Sequence, residues 1–271
     1  MTDPRPEIKG RTIRAEIRTS ATPQQVWEAW TDPEKLAHWF TDKASGEARP
    51  GNTMTWFFDK FNYTIPYQIL EALPPERLSM LFHSPAGDPG ILEITIEHAG
   101  GETVMRLVNS GFRDGAEWDD EFEGTNSGWQ MAVAVLQHYL ENYFGEPRSS
   151  FLAMRPAEFR YEQLGPFFRE ASGLSRWLAV SATQDADGRY NLVFHDGSRL
   201  NGLILATTRR EVALSWPEIR GVLELKAFGL GPGTKVLGVR GCGWSLDPAR
   251  AAAIETQMAA ALERLAAALA L

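Results

Sequence analysis

From about residue 47 to residue 110, apolar side chains recur at every second position. Met54, Trp56 and Phe58 fall on one side of such a stretch, and Thr53, Thr55 and Phe57 on the other. The same period runs through Tyr63, Ile65, Tyr67 and Ile69, then Leu78, Met80 and Phe82, then Leu92, Ile94 and Ile96, then Met105 and Leu107. Successive side chains of a strand leave the pleat on opposite sides, so period two marks strands with one buried face. Pro74-Pro75, Pro85 to Pro89 and Gly100-Gly101 interrupt the runs where the chain must turn. The pattern predicts an antiparallel meander.

The period is helical on either side of the meander. Thr22-Pro23-Gln24-Gln25 places a capping hydroxyl, a proline and a glutamine in the order that opens a helix, here carrying Val26, Ala29 and Trp30. Asp32-Pro33 ends it and caps a second short helix with Leu36, Trp39 and Phe40. After the strands comes an acidic run, Asp114, Glu117, Asp119, Asp120, Glu121 and Glu123, which reads as a solvated loop. Trp129, Ala132, Val133, Leu136, Leu140, Tyr143 and Phe144 then share one face of a long helix that opens at Gly128-Trp129 and closes at Gly145 and Pro147. One helix has one large apolar surface to cover, so the sheet is expected to curve around it.

The second half of the chain repeats this order. Leu174 to Leu178 echoes Leu36 to Phe40, Gly221 to Leu225 echoes Gly90 to Ile94, Gly233 to Val236 echoes Gly101 to Val104, and Gly243-Trp244 echoes Gly111-Phe112. The echoes are spaced by 138, 131, 132 and 132 residues, so they keep both order and phase. Asp247-Pro248 then caps a helix with Ile254, Met258, Leu262, Leu265 and Leu269 on one face. No counterpart of the Thr-Pro helix cap is evident in this half. Its last helix is rich in alanine where the first has Trp and Tyr, and the copy reads as degenerate. The prediction is an α+β chain with a flexible segment 1–12, a first domain 13–146 and a second domain 151–271, the boundary lying near Glu146 to Ser150.

The first half resembles the START-like, or SRPBCC, superfamily, and within it the proteins related to the activator of the heat-shock ATPase. The residues that carry the resemblance are Thr22-Pro23, Val26-Trp27 and Trp30, the Trp39-Phe40 pair, the strands from Gly90 to Phe112, and Gly128-Trp129 opening a helix that ends in Tyr139-Leu140-Glu141. It implies the helix-grip fold in both copies: a curved antiparallel sheet around a C-terminal helix, with an apolar cavity between them in the first. It implies no single activity, because lipid carriers, hormone receptors, cyclases and stress proteins share that shape.

Composition narrows the partners. A formal net charge of −8 argues against nucleic acid. The single cysteine, Cys242, allows no internal disulfide, and the N-terminus lacks the apolar core of a signal peptide, so a cytoplasmic setting is expected. Glu263 and Arg264 interrupt the longest apolar stretch, which excludes membrane insertion by a helix there. The histidines His38, His83, His98, His138 and His195 have no metal-ligand spacing with one another or with Cys242, so neither metal nor cofactor is expected. The segment Gly229 to Lys235 lacks the spacing of a phosphate loop and reads as a hairpin turn.

The residues expected to line the cavity are Trp39, Trp56, Tyr67, Phe82, Ile94, Leu107, Asn109, Phe112, Trp129 and Val133, with Gln68 and Asn109 orienting a ligand. No nucleophile motif is present, so the expected function is non-catalytic binding of a small hydrophobic or amphipathic molecule, with a stress-related role left open. A cyclase-like or hydrolase-like enzyme is the alternative, drawing on Asp59, His83, Glu93 or Arg106. A co-chaperone-like interaction module is another. A homodimer remains open; a chaperone ATPase is not the expected partner.

Overall fold

The computed structural model describes residues 8–84, 87–229 and 234–270. Contacts divide the chain into two compact units, one of residues 1–126 and 136–147, the other of residues 127–135 and 148–271. Residues 1–7 of the segment expected to be flexible, Pro85, and Leu230 to Gly233 of the expected hairpin turn lie outside the described residues.

In the first unit, β1 (Arg11–Thr19) precedes two helices, α1 (Pro23–Thr31) and α2 (Pro33–Ala37). The meander follows as β2 (Lys43–Ser45), β3 (Thr53–Phe58), β4 (Tyr63–Leu73), β5 (Arg77–His83), β6 (Pro89–Ala99) and β7 (Glu102–Phe112). They form one seven-stranded sheet in the order β1-β7-β6-β5-β4-β3-β2. β1 starts at Arg11, two residues before the expected domain start. The predicted helix cap is present: Gln25 N–H donates to Thr22 Oγ1 (3.2 Å), and Thr22 N–H donates to Gln25 Oε1 (2.9 Å). Asp32 Oδ1 accepts from Glu34 N–H (2.9 Å) and starts α2.

The long helix α3 runs from Asp119 to Asn142, so it begins well before Gly128-Trp129. Of the acidic residues expected in a loop, Asp114 and Glu117 precede the helix, while Asp119, Asp120, Glu121 and Glu123 form its first turns. Carboxylates there face the positive end of the helix dipole, which makes them good helix starters despite their polarity. From Asn126 to Leu140 no residue of α3 is exposed. A second buried face, Ser127, Met131 and Val135, therefore lies opposite the one that the pattern identified; its spacing of four was its only signal.

The second unit contains β8 (Arg148–Pro156), α4 (Leu164–Arg169), α5 (Ala171–Leu174), β9 (Ser181–Gln184), β10 (Tyr190–Val193), β11 (Arg199–Gly202) and β12 (Ile204–Thr207). β13 (Glu211–Trp216), β14 (Gly221–Gly229), β15 (Lys235–Trp244) and α6 (Pro248–Leu269) complete it. Its strands pair as β12-β13-β14-β15-β8 and β11-β10-β9. β11 and β12 together take the place of β4, interrupted at Leu203, whose N–H donates to Ser215 Oγ (2.9 Å) instead of a ladder carbonyl.

The two copies keep the same register in their central ladders. Ile91↔Ser110, Leu92↔Asn109 and Ile94↔Leu107 pair across β6 and β7, and Val222↔Cys242, Leu223↔Gly241 and Leu225↔Val239 pair across β14 and β15. Likewise Ile13↔Asn109 corresponds to Phe151↔Gly241. Trp39 Nε1–H donates to Ala29 O (2.8 Å), and Trp177 Nε1–H to Phe167 O (3.0 Å). The helix cap expected to be missing survives in half: Gln163 Oε1 still accepts from Arg160 N–H (2.8 Å), although arginine stands where the capping threonine was. This is one helix-grip domain used twice.

The copies differ in how closely the last helix approaches its sheet. α6 runs close along β8 and β15, whereas in the first unit the close helix-to-strand approaches are those of α1 to β6 and α2 to β2. Alanine brings backbones together. α6 buries Ala251 and Ala261 beside Ile254, Met258, Leu262 and Leu265, with Asp247 Oδ1 accepting from Ala249 N–H (2.9 Å) at its start.

Candidate functional site

The buried side of the first sheet is built in rows that cross the strands. One row is Ile69 on β4, Met80 on β5, Leu92 on β6, Asn109 on β7 and Ile13 on β1. The next is Leu78, Ile94, Leu107 and Ala15, all buried. On the other side of Asn109 come Met54, Tyr67 and Phe82. Asn109 is thus a polar residue set among Met, Leu and Ile, and it is 4% exposed. Its Oδ1 has no hydrogen-bond partner.

At the β3 end of this face the aromatics form a continuous cluster. Trp56 and Tyr67 have ring centroids 4.3 Å apart, Tyr67 and Phe82 5.5 Å, Trp56 and Phe40 5.5 Å, and Trp56 and Trp30 6.1 Å. Trp56 is fully buried, and its Nε1–H has no partner either. Burial pushes the Tyr67 phenol far above its ordinary range, so this group stays protonated and neutral at any physiological pH. Gly90 leaves the space that the Phe82 ring fills: a Cβ there would lie 2.4 Å from Phe82 Cζ.

The expected lining residues do not all meet. Trp56, Tyr67 and Phe82 touch in sequence, and Ile94, Leu107 and Asn109 share the buried side of the sheet. Trp39 is locked against the helix pair by its bond to Ala29 and stacks on Phe40 at 4.9 Å; Trp177 has the same bond, which marks a structural role. Phe112 closes β7, edge-on to Phe122 at 5.5 Å. Trp129 and Val133 are buried in the part of α3 that groups with the second unit. Gln68 is exposed, because period two turns it away from Tyr67 and Ile69.

None of the four groups offered as acid or base faces this interior. Asp59 and His83 are exposed. Glu93 pairs with Arg77 (2.9 Å), and Arg106 with Glu16 (2.8 Å) and Glu97 (2.5 Å), on the opposite side of the sheet. Among the described residues no cluster of His, Cys, Asp or Glu could hold a metal ion, and no helix is long and apolar enough to cross a membrane.

In the second unit an aromatic ring occupies the equivalent place. Gly241 occupies the position of Asn109, and the Phe151 ring lies over it, where a Cβ would meet Phe151 Cζ at 2.4 Å. Phe151 packs edge-on to Trp216 (6.2 Å), and Trp216 in turn packs on Phe194 (5.0 Å).

A family model described as "Activator of Hsp90 ATPase homolog 1-like protein" matches residues 20–141. No curated protein matches the chain in sequence. Among solved structures, the Aha1 dimer from Colwellia psychrerythraea is 19% identical, covering 49% of this chain and 97% of its own, with a TM-score of 0.44. Protein BH1534 from Bacillus halodurans is 24% identical, covering 50% of this chain and 100% of its own, with a TM-score of 0.43. DynU16, from the dynemicin biosynthetic locus, is 18% identical over 96% of this chain and 100% of its own, with a TM-score of 0.43.

Proposed function

We propose that the first domain, which over residues 20–141 belongs to the family of activator of Hsp90 ATPase homolog 1-like proteins, binds a small apolar or amphipathic molecule on the buried face of its sheet, without a chemical step. The observation that carries this reading is Asn109. A buried amide oxygen left without a hydrogen bond costs about 1–3 kcal/mol. A leucine, with the same number and branching of side-chain heavy atoms, would avoid that cost, and the second copy carries no polar side chain at this position. A polar group kept at such a cost on an apolar face is what a binding site needs to orient its guest.

The direct test is native mass spectrometry of the purified protein, alone and with a panel of fatty acids, sterols and polycyclic aromatics. A retained or added mass is the expected result; none with any member of the panel counts against binding. Asn109→Leu should raise the stability of the first domain by about 1–2 kcal/mol in chemical denaturation while weakening retention of polar-headed ligands. A loss of stability would mean that the amide is satisfied in solution and serves the core.

A further inference from the structure

The buried face of the first domain has unpartnered polar atoms at two separate places, and they are of opposite kind. Asn109 Oδ1 on β7 is an acceptor, and Trp56 Nε1–H on β3 is a donor; both residues are more than nine-tenths buried and neither atom has a partner. Trp56 pairs with Ile65 and so stands two rows away from the Asn109 row; Leu92, Met80, Phe82 and Tyr67 lie between the two atoms, and of these only Tyr67 carries a polar group. Resting on the binding reading above, we infer that the ligand is two-ended: an extended apolar body with a hydrogen-bond donor at the Asn109 end and an acceptor at the Trp56 end.

Length follows from the sheet. Four inter-strand spacings separate β7 from β3, about 19 Å across the sheet, and the Trp56–Ile65 pair lies four residues, about 13 Å, along the strands from the row of Asn109 and Ile69. The Trp56 indole lies against Tyr67 on β4, three spacings across and two residues along from Asn109, so the span between the two polar ends is about 16 Å before a hydrogen bond is allowed for at each end. A body about 10–15 Å long between its polar atoms is therefore required. A head-and-tail amphiphile of the fatty-acid kind satisfies one end only and leaves the other orphan in place. The Tyr67 hydroxyl, held neutral by burial, suits an uncharged polar end better than an ionised one.

Isothermal titration calorimetry of the full chain with decan-1-ol, octane-1,8-diol, decane-1,10-diol and dodecane-1,12-diol tests this. A second hydroxyl makes a molecule more soluble in water and weakens binding to an apolar site unless a partner meets it. The expected result is that one of the diols binds about tenfold more tightly than decan-1-ol, the gain of one satisfied buried hydrogen bond. Asn109→Leu and Trp56→Phe should each abolish that preference, so that decan-1-ol and the best diol bind within about threefold of each other. Thermal midpoints of both variants establish that they are folded, and Asn109→Leu, expected to be the more stable, keeps the test decisive if Trp56→Phe is not. Binding of decan-1-ol equal to or tighter than every diol overturns the two-ended ligand and leaves apolar binding standing. Failure of all four to bind, in a protein that also retains nothing from the lipid and aromatic panel, overturns both.

Discussion

Trp39→Ala is expected to destabilise the first domain by about 3–5 kcal/mol, as truncation of a large core aromatic does. The indole is 1% exposed and packs edge-on against Trp30 at 5.0 Å. Its Nε1–H is the bond that ties the short helix pair together through Ala29 O. Removing the ring leaves a cavity at the junction of α1 and α2 and an unpaired carbonyl. Trp39→Phe, which keeps most of the volume and loses the bond, should cost only about 1–2 kcal/mol. Differential scanning calorimetry reads both. A fall in midpoint of less than about 3 °C for Trp39→Ala would mean that the helix pair does not depend on this ring.

The second large effect is expected in the other copy, from a charge. Lys226 Nζ lies 3.2 Å from Glu211 Oε2 and 4.0 Å from Glu224 Oε2, and Arg240 Nε lies 3.7 Å from Glu224 Oε1. Glu211 is 2% and Glu224 5% exposed, on the side of the second sheet opposite its Phe151, Trp216 and Leu223 core. Lys226→Met strands Glu211 in a buried place without its cation, and breaking a buried pair from one side costs about 3–5 kcal/mol. Removing both charges together, Lys226→Met with Glu211→Leu, should restore most of that loss, because the penalty belongs to the uncompensated carboxylate. Urea denaturation of the single and double variants decides it. A double variant no more stable than Lys226→Met alone would show that the cost is packing and not charge.

That cluster was not legible in the sequence. Glu211, Glu224 and Lys226 alternate with apolar residues as an exposed strand face would, and burial of that face is a property of the assembled chain. Gln68 shows the converse case. It stands one residue from Tyr67, and a one-residue shift in a strand exchanges the two faces, so the alternation that marks the strand also puts Gln68 on its exposed side. The acidic opening of α3 has the polarity of a loop, and it is helical because its carboxylates sit at the positive end of the helix dipole.

The sequence by itself determined the elements, their order and their duplication. Period two, period 3.6 and the caps are local chemistry, and echoes held at nearly constant spacing are countable without coordinates. Asn109 was also visible as a polar residue on an apolar strand face. Only the tertiary structure decided which strands lie side by side, and so that Asn109 stands between Leu92 and Ile13 with its oxygen unpaired. It also decided that Trp39 is committed to the helix pair, and that Phe151 lies over Gly241 in the second copy. The reason is physical: pairing and burial are set by residues scores of positions apart, and no local pattern records which of them meet.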